Sequence, residues 1–331
     1  MQTRKLGPFS VSSIGVGCMS LSHAYGTPPP EADAAKVLLK ALDLGYTFFD
    51  TASLYGFGAN ETLLGKVLKS HRNRLVLASK CGMQVIDGKR VIDSSPAASR
   101  KVCDESLKRL QTDVIDLYYL HRWDKKTPVE EAIGGMAELI AAGKVKAIGM
   151  SEVSAATLRK AHAAHPLAAL QSEYSPWSRN AEFGTLQACK ELGIAYVAFS
   201  PVARGFLTNA SVDPAKFEER DIRRNMPRFQ GDNWAKNRRL LDGFGALARE
   251  ADCTMAQLSL AWALARGSHV IPIPGTTNLA HLAENAGADR ITLSPRMIAK
   301  IDALINDTTV AGPRYNAATQ TEIDTEIAQP R

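Results

Sequence analysis

Short apolar runs alternate along this chain with longer segments in which apolar residues recur every three or four positions. The runs are nearly uninterrupted, as in strands that are buried on both faces, and lie at residues 13–19, 47–50, 75–80, 114–121, 146–151, 169–174, 194–200 and 269–274. The periodic segments predict helices at residues 31–44, 61–68, 96–110, 129–142, 155–165, 183–192, 236–251, 255–265, 279–286 and 295–305. Strand and helix therefore alternate eight times.

This alternation predicts an α/β fold in which eight parallel strands close into a (β/α)8 TIM barrel, with residues 1–331 forming a single domain. The alternative is an open doubly wound sheet, which needs a glycine fingerprint after an early strand. Residues 15–20, Gly-Val-Gly-Cys-Met-Ser, begin like that fingerprint but lack its third glycine. Two segments lie outside the repeat. Residues 203–234 are predicted to be a long cofactor or substrate loop, and residues 306–331 a C-terminal tail near the barrel mouth.

Composition narrows the functional class. The 331 residues are 45% hydrophobic and 22% charged, so the chain can bury a large core without metal or disulfide support. Its five cysteines include no CxxC pair, and no metal-ligand spacing occurs, so we expect reduced thiols, no metal and a cytoplasmic protein. We find neither a signal core nor an apolar run near 18 residues, and expect no membrane partner. The net charge of +6 is modest for this length: it favours anionic small molecules without requiring nucleic acid. The chain is expected to be a monomer or a homo-oligomer.

Nearly every predicted strand ends on a polar or ionisable residue. Barrel enzymes place their working groups at the carboxyl ends of the strands, so these residues are expected to share one face. They are Asp50, Lys80, His121, Ser151, Gln171, Ser200 and the pair Gly275-Thr276.

Four residues from these strand ends could support proton transfer. Asp50 would keep Lys80 charged, and that cation would lower the pKa of Tyr55 from its usual value near 10. A tyrosine tuned in this way can act as a general acid, while His121 orients a carbonyl or shares the proton. Each residue alone has a structural explanation, such as a turn cap for Asp50 or a solvated side chain for Lys80. Their common position favours a site.

Four motifs together resemble those of the aldo-keto reductase superfamily. They are Gly-Tyr-Thr-Phe-Phe-Asp-Thr-Ala-Ser-Leu-Tyr-Gly at 45–56, Leu-Tyr-Tyr-Leu-His at 117–121, Gly-Lys-Val-Lys-Ala-Ile-Gly-Met-Ser at 143–151 and Ile-Pro-Ile-Pro-Gly-Thr at 271–276. Residues 199–207 and 226–230 are similar to the bacterial and plant branch that is related to potassium-channel β subunits. The resemblance covers residues 6 to about 305.

The resemblance implies reversible, NADP(H)-dependent reduction of an aldehyde or ketone, with a small-molecule carbonyl compound as substrate. Its catalytic set is carried over to Asp50, Tyr55, Lys80 and His121. Tyr55 would be the general acid while hydride passes from the nicotinamide to the carbonyl carbon. The cofactor is expected to be NADPH, with NADH possible.

The resemblance also implies a cofactor site. Ser151 and Gln171 would hold the carboxamide, Phe199 would stack on the nicotinamide, and residues 200–207 would surround the pyrophosphate. The expected cofactor-binding residues are Ser151, Gln171, Phe199, Ser200, Pro201, Val202, Arg204, Gly205, Leu207, Gly275, Thr276, Asn278, His281, Glu284 and Asn285.

Three positions depart from the common family pattern. Phe199 replaces a stacking tyrosine, Glu152 follows Ser151 where asparagine is frequent, and Thr277-Asn278 replaces a basic pair that often follows Gly-Thr. A basic side chain there would pair with the 2′-phosphate of NADPH. Thr276, Asn278 and His281 could donate hydrogen bonds to it instead.

The variable loops are expected to supply the substrate pocket, with Tyr25, Trp123 and Trp177 as its aromatic lining. Two other functions fit the same residues. One is a nucleotide-binding regulatory protein, similar to channel β subunits, with little turnover. The other is a Schiff-base enzyme that uses Lys80, which Asp50 would oppose by keeping the lysine protonated.

Overall fold

Each predicted apolar run forms a strand of one parallel sheet. A computed structural model of the chain describes residues 1–86, 88–209 and 212–327. Within them the barrel strands are β3 (Val16–Gly17), β4 (Phe48–Asp50), β5 (Val76–Cys81), β8 (Ile115–Leu120), β9 (Val145–Ser151), β10 (Ala169–Glu173), β11 (Ala195–Phe199) and β12 (Val270–Ile273). They are hydrogen-bonded in this order, and each neighbouring pair is parallel. The predicted (β/α)8 barrel is confirmed.

Backbone hydrogen bonds beside two glycines close the ring between the first and last barrel strands. The amide of Gly15 donates to Pro272 O at 2.9 Å, and that of Gly17 donates to Pro274 O at 3.1 Å. A Cβ atom on Gly17 would lie 2.7 Å from Ile273 O, and one on Gly275 would lie 2.7 Å from Gly17 O. Only glycine allows the two chain segments to approach this closely.

Helices cover the outside of the barrel, and two apolar layers result. The helices of the repeat are α1 (Glu31–Asp43), α2 (Ala59–Leu68), α3 (Pro96–Leu110), α4 (Val129–Ala141), α5 (Ala155–Ala164), α6 (Thr185–Leu192), α9 (Met255–Leu264) and α10 (Leu279–Gly287), and α11 (Pro295–Leu304) follows. The larger core fills the space between helices and strands, and a smaller core around Phe48, Leu117 and Tyr119 fills the barrel. The hairpin of β1 (Thr3–Leu6) and β2 (Phe9–Ser12) plugs its lower end.

Two elements differ from the sequence-based prediction. The helix predicted at 236–251 is two helices, α7 (Gly231–Asn237) and α8 (Leu240–Glu250). The first ends at buried Asn237, whose amide nitrogen donates to Arg228 O and Ala311 O and whose amide oxygen accepts from Ala311 N. The second difference is an antiparallel hairpin of β6 (Met83–Ile86) and β7 (Lys89–Ile92), which was not predicted.

The two segments outside the repeat are ordered where the structure describes them. Residues 203–234 contain short 3-10 turns before α7, and the tail contains a short helix, α12 (Ala317–Gln320). Within the described ranges, no helix is long and apolar enough to cross a membrane.

Candidate active site

A cavity of about 900 Å³ opens at the carboxyl ends of the barrel strands. Its floor is formed by strand ends, and its walls by the loop after β11, the hairpin β6–β7 and the C-terminal tail. No cluster of histidine, cysteine and acidic residues in the described part of the chain could hold a metal ion.

A chain of hydrogen bonds joins three of the four predicted catalytic residues. The Nζ atom of Lys80 lies 2.5 Å from Asp50 Oδ1, 2.7 Å from Thr51 O and 3.4 Å from Tyr55 Oη. All three donors of the ammonium group are therefore used. Lys80 is completely buried beneath the cavity, whereas Asp50 and Tyr55 line it. Tyr55 is the member of the chain that can meet a ligand.

The pKa of Tyr55 differs from the sequence-based expectation. Burial raises it above its ordinary value, and the nearby Lys80 ammonium only opposes that shift, so the expected lowering is wrong for this structure. Burial also disfavours the charge on Lys80, but Asp50 and Tyr55 raise its pKa above the usual value. The lysine stays protonated, and the tyrosine keeps its proton at neutral pH.

The fourth residue, His121, is neutral. Burial and the nearby cations Lys80, Arg122 and Arg90 hold its pKa well below the ordinary value. Its ring meets that of Tyr55 edge to face, with 5.8 Å between centroids. The Nδ1 atom is buried and has no hydrogen-bond partner among the described residues. The structure thus brings all four predicted residues together.

The residues expected at the nicotinamide end line the same cavity. Gln171 donates from Nε2 to Asp50 Oδ2 at 2.7 Å, and the hydroxyl of Ser151 accepts from Arg122 at 3.3 Å. Phe199 lines the cavity at the end of β11. One of the two N–H donors of the Gln171 side chain is thus bound to Asp50.

The loop after β11 has an unusual backbone. Ser200, Ala203, Arg204 and Gly205 all have positive φ angles of 49° to 89°. Turns of this kind direct successive amides to one side and form anion-binding concavities. Predicted residues Ser200, Pro201, Val202, Arg204 and Gly205 line the cavity here.

The far end of the cavity lies at the start of α10. Gly275, Thr276, His281, Glu284 and Asn285 line it, as expected for the adenosine end of a cofactor. Asn278 does not. Its Oδ1 atom accepts from the amides of Ala280 and His281 and so caps the helix.

Three further predicted residues lie outside the cavity lining. Trp177 is buried and stacks on Phe206 with 4.3 Å between ring centroids. The indole of Trp123 donates to Thr127 O at 2.8 Å within its own loop, and Leu207 is fully buried in the core. The structure thus places Trp123, Trp177 and Leu207 behind the residues that line this cavity, and their predicted roles in the pocket and the cofactor site stay predictions. Tyr25 does line the cavity.

Sequence reasoning missed many other lining residues, among them His23, Met83, Arg90, Arg122, Asn316, Thr319 and Glu322. Arg90 and Glu322 form an ion pair that joins hairpin β6–β7 to the tail. The sequence signal for the hairpin was Asp87-Gly88 between two apolar runs. The tail was expected near the barrel mouth, but no local pattern identifies which of its residues reach the cavity, and the Arg90–Glu322 contact joins residues that are 232 positions apart.

A second buried ion cluster lies beside the cavity. Glu152 pairs with Arg314 of the tail and accepts from Ser172 Oγ at 2.6 Å. Glu173 pairs with Arg204 at 2.6 Å, and Arg204 also donates to Tyr315 Oη at 3.2 Å. The unusual Glu152 is thus matched by a tail arginine, and the Arg204 charge is already paired within the protein.

Comparison with known proteins agrees with this geometry. The model of the "Aldo/keto reductase family" matches residues 13–306. The chain is 42% identical over 320 residues to "Aldo-keto reductase yakc [NADP(+)]" of Schizosaccharomyces pombe, covering 95% of this chain and 94% of that protein. It is also 42% identical to "Probable aldo-keto reductase 1" of Glycine max, covering 95% and 92%.

Solved structures give the same result. The glycerol dehydrogenase AKR11B4 of Gluconobacter oxydans superposes with a TM-score of 0.84 at 26% identity, covering 92% of this chain and 94% of that one. An aldo/keto reductase of Klebsiella pneumoniae in complex with NADP and acetate superposes with a TM-score of 0.73 at 25% identity, covering 96% and 99%. With the family model matched across the whole barrel, this chain belongs to the aldo/keto reductase family.

Proposed function

We propose that this protein reduces an aldehyde or ketone to an alcohol, reversibly, with NADPH as the reductant and Tyr55 as the general acid. The observation that carries the proposal is the hydrogen-bonded chain Asp50–Lys80–Tyr55, which ends at the wall of the large cavity beside neutral His121. General acid–base groups must lie within reach of the proton that they transfer, and this chain delivers one acidic hydroxyl to the cavity.

The cavity fits an extended dinucleotide. It runs from Ser151 and Gln171 at the strand ends, past the left-handed turns of residues 200–205, to the start of α10. The turns and the amino end of α10 both favour bound anions. The relatives support NADPH, since one is named for NADP(+) and another was solved with NADP.

Bound NADPH supplies a hydride to the carbonyl carbon. The hydroxyl of Tyr55 donates its proton to the carbonyl oxygen, so that the alcohol is complete and a phenolate remains on the enzyme. Lys80 stabilises that phenolate, and Asp50 and Thr51 O hold the ammonium in place. The raised pKa of Tyr55 keeps the proton available until the substrate takes it. Neutral His121 is placed beside Tyr55, where it can orient the carbonyl without competing as a cation.

A Schiff-base mechanism is disfavoured. It requires a neutral amine that a carbonyl compound can reach, whereas Lys80 is completely buried and paired with Asp50. The ammonium would first have to lose its proton against that carboxylate.

The decisive experiment compares Tyr55→Phe with Tyr196→Phe, which removes a hydroxyl from the core outside the cavity. A panel of aldehydes, ketones and sugars is followed by NADPH absorbance, and cofactor binding by fluorescence. Tyr55→Phe is expected to lower kcat by on the order of 10²- to 10⁴-fold while still binding NADPH, and Tyr196→Phe to retain activity. Substantial turnover by Tyr55→Phe would exclude Tyr55 as the acid. NADPH binding with no turnover of any carbonyl by the unmodified protein would favour a regulatory nucleotide-binding role.

Cofactor choice is tested separately. Thr276 and His281, at the amino end of α10, are the groups that we propose for the 2′-phosphate. We expect a higher kcat/KM with NADPH than with NADH. The Thr276→Val substitution should lower the ratio of the NADPH value to the NADH value. A clear preference for NADH would contradict the assignment.

A further inference from the structure

One buried arginine in the cavity wall is not used by the mechanism above. Arg122 follows His121, is 9% exposed and lines the cavity. Its Nη1 atom donates to His121 O at 2.7 Å and to Ser151 Oγ at 3.3 Å. Its Nε atom is buried and has no hydrogen-bond partner within the described residues. The side chain thus ties the end of β8 to the end of β9.

Arg122 also differs in its charge balance from two other buried arginines at the barrel mouth. Arg204 pairs with Glu173, and Arg314 pairs with Glu152. For Arg122, by contrast, the described part of the chain provides no carboxylate at ion-pair distance, and Glu152 interacts with it only from further away. A buried guanidinium without a counter-ion in contact is costly, so a purely structural role does not account for its charge. A purely structural role of Arg122 would involve only the hydrogen bonds that it donates to His121 O and Ser151 Oγ.

We propose that Arg122 is a positioning residue of the reaction: it fixes His121 and Ser151 relative to each other and supplies a second cation that stabilises the phenolate formed on Tyr55. The proposal rests on the proposed function, because it concerns the same proton transfer. A deeply placed charge acts strongly on neighbouring groups, since few water molecules screen it. Arg122 thereby adds to the effect of Lys80 on Tyr55.

The charges around the two affected rings favour this role. The groups that face Tyr55 are Lys80 and Arg122, which favour its phenolate, Asp50, which opposes it, and the neutral rings of His121 and His23. The groups that face His121 are Lys80, Arg122, Arg90, His23 and Tyr55. Removing Arg122 is therefore expected to raise the pKa of both rings: the Tyr55 phenolate loses a stabilising cation, and protonated His121 loses a repelling one.

The test compares Arg122→Met and Arg122→Lys with Arg100→Met, which removes an arginine from the outer surface of the barrel. The pH dependence of kcat is measured in the direction of alcohol oxidation, where Tyr55 must act as a base. For Arg122→Met we expect kcat to fall on the order of 10- to 100-fold and the profile to move to higher pH. Arg122→Lys should restore the profile but only part of kcat, and Arg100→Met should change neither.

Ser151→Ala separates the hydrogen bond from the charge. It removes the contact with Arg122 but keeps the guanidinium, so we expect a higher KM for NADPH with an unshifted pH profile. Thermal unfolding of each variant identifies any loss of activity that comes from misfolding, and Arg122→Lys keeps the test valid if the methionine variant does not fold.

The titration of His121 by NMR provides a readout that does not depend on turnover. Its midpoint should rise in Arg122→Met and not in Arg100→Met. If the unmodified protein lacks carbonyl reduction, the proposed function fails while this titration still tests the charge of Arg122. A folded Arg122→Met variant with an unchanged His121 midpoint and an unchanged pH profile would overturn the proposal.

Discussion

Two buried ion clusters lie within the same barrel mouth, and they differ in which cation they use. In the first, Asp50 and Lys80 hold Tyr55 at the cavity wall. In the second, Arg204 and Arg314 neutralise Glu173 and Glu152 beside the cavity. Lysine is a compact charge with three donors, one of which can contact a group that changes its protonation state. Arginine stays charged and forms forked pairs with carboxylates. The lysine cluster suits proton transfer, and the arginine cluster suits a fixed structure.

The clusters also differ in how far apart their members lie in sequence. Asp50, Tyr55 and Lys80 fall within 31 positions at the ends of neighbouring strands β4 and β5. The second cluster joins Glu152 to Arg314, which are 162 positions apart, and thereby attaches the tail to the barrel. The first cluster is expected to control chemistry, and the second to control stability and the shape of the cavity wall.

The largest effect is expected from Lys80→Met. It removes the cation that stabilises the Tyr55 phenolate and leaves Asp50 buried without its partner. We expect kcat to fall on the order of 10³-fold, and the free energy of unfolding to fall by about 3–5 kcal/mol. The double variant Asp50→Asn/Lys80→Met should recover part of the stability but none of the activity. If the Lys80→Met variant retains a tenth of the normal kcat, Lys80 is not part of the mechanism.

Arg314→Met should affect stability more than chemistry. The buried Glu152 loses its forked partner, so the free energy of unfolding should fall by about 3–5 kcal/mol in urea titrations. The proton-transfer residues do not share this contact, so kcat at saturating NADPH should stay within about threefold. Glu152→Leu/Arg314→Met, which removes both charges, should be more stable than the single variant. A large loss of kcat in a folded Arg314→Met protein would contradict the proposal that the first cluster controls chemistry and the second controls stability.

The smallest of the three effects is a loss of folding stability at low pH. Burial alone would raise the pKa of Glu152, but Arg314, Arg122 and the hydroxyl of Ser172 bring it down from 4.5 to about 2. Because the folded value lies below the unfolded one, the stabilisation is fully present above about pH 4.5 and is lost as the pH falls through about 2. The change is on the order of 3 kcal/mol for this one group.

Urea unfolding of the unmodified protein and of Glu152→Gln between pH 7 and pH 2 measures this contribution. The difference in stability between the two proteins should shrink steadily below about pH 4.5. A difference that is constant across the whole range would mean that Glu152 is not the group responsible. Asp50 provides a contrast, because burial raises its pKa while Lys80 and Gln171 oppose the shift.

The sequence predicted the parts of this molecule that repeat. Barrel strands can be recognised because burial on both faces requires continuous apolar runs, and a polar residue at the end of each run then marks the mouth. Asp50, Lys80, His121, Ser151 and Gln171 were found in this way. The structure brings them to one barrel mouth, where all of them except the buried Lys80 line the cavity. Their roles remain proposals, which the experiments above test.

The remaining parts depend on contacts that no local pattern encodes. Trp177 resembles an exposed loop aromatic in sequence, but Phe206 and Phe229 bury it. The pKa shift of Tyr55 was predicted in the wrong direction, because a neighbouring cation can be inferred from the sequence, whereas the cost of burial cannot. Arg122 follows directly after a predicted catalytic residue, yet its role depends on where Ser151 and the carboxylates of other strands lie.

Hairpin β6–β7 and the C-terminal tail meet across the cavity mouth through the Arg90–Glu322 pair, and neither segment belongs to the strand–helix repeat. Within the described residues, the barrel strands pair only with one another. We therefore expect that substrate preference can diverge by exchange of these two peripheral segments, while the proposed proton-transfer residues are inherited unchanged. Chimaeras that receive both segments together from a relative should acquire its substrate range, whereas those that receive only one would separate Arg90 from Glu322.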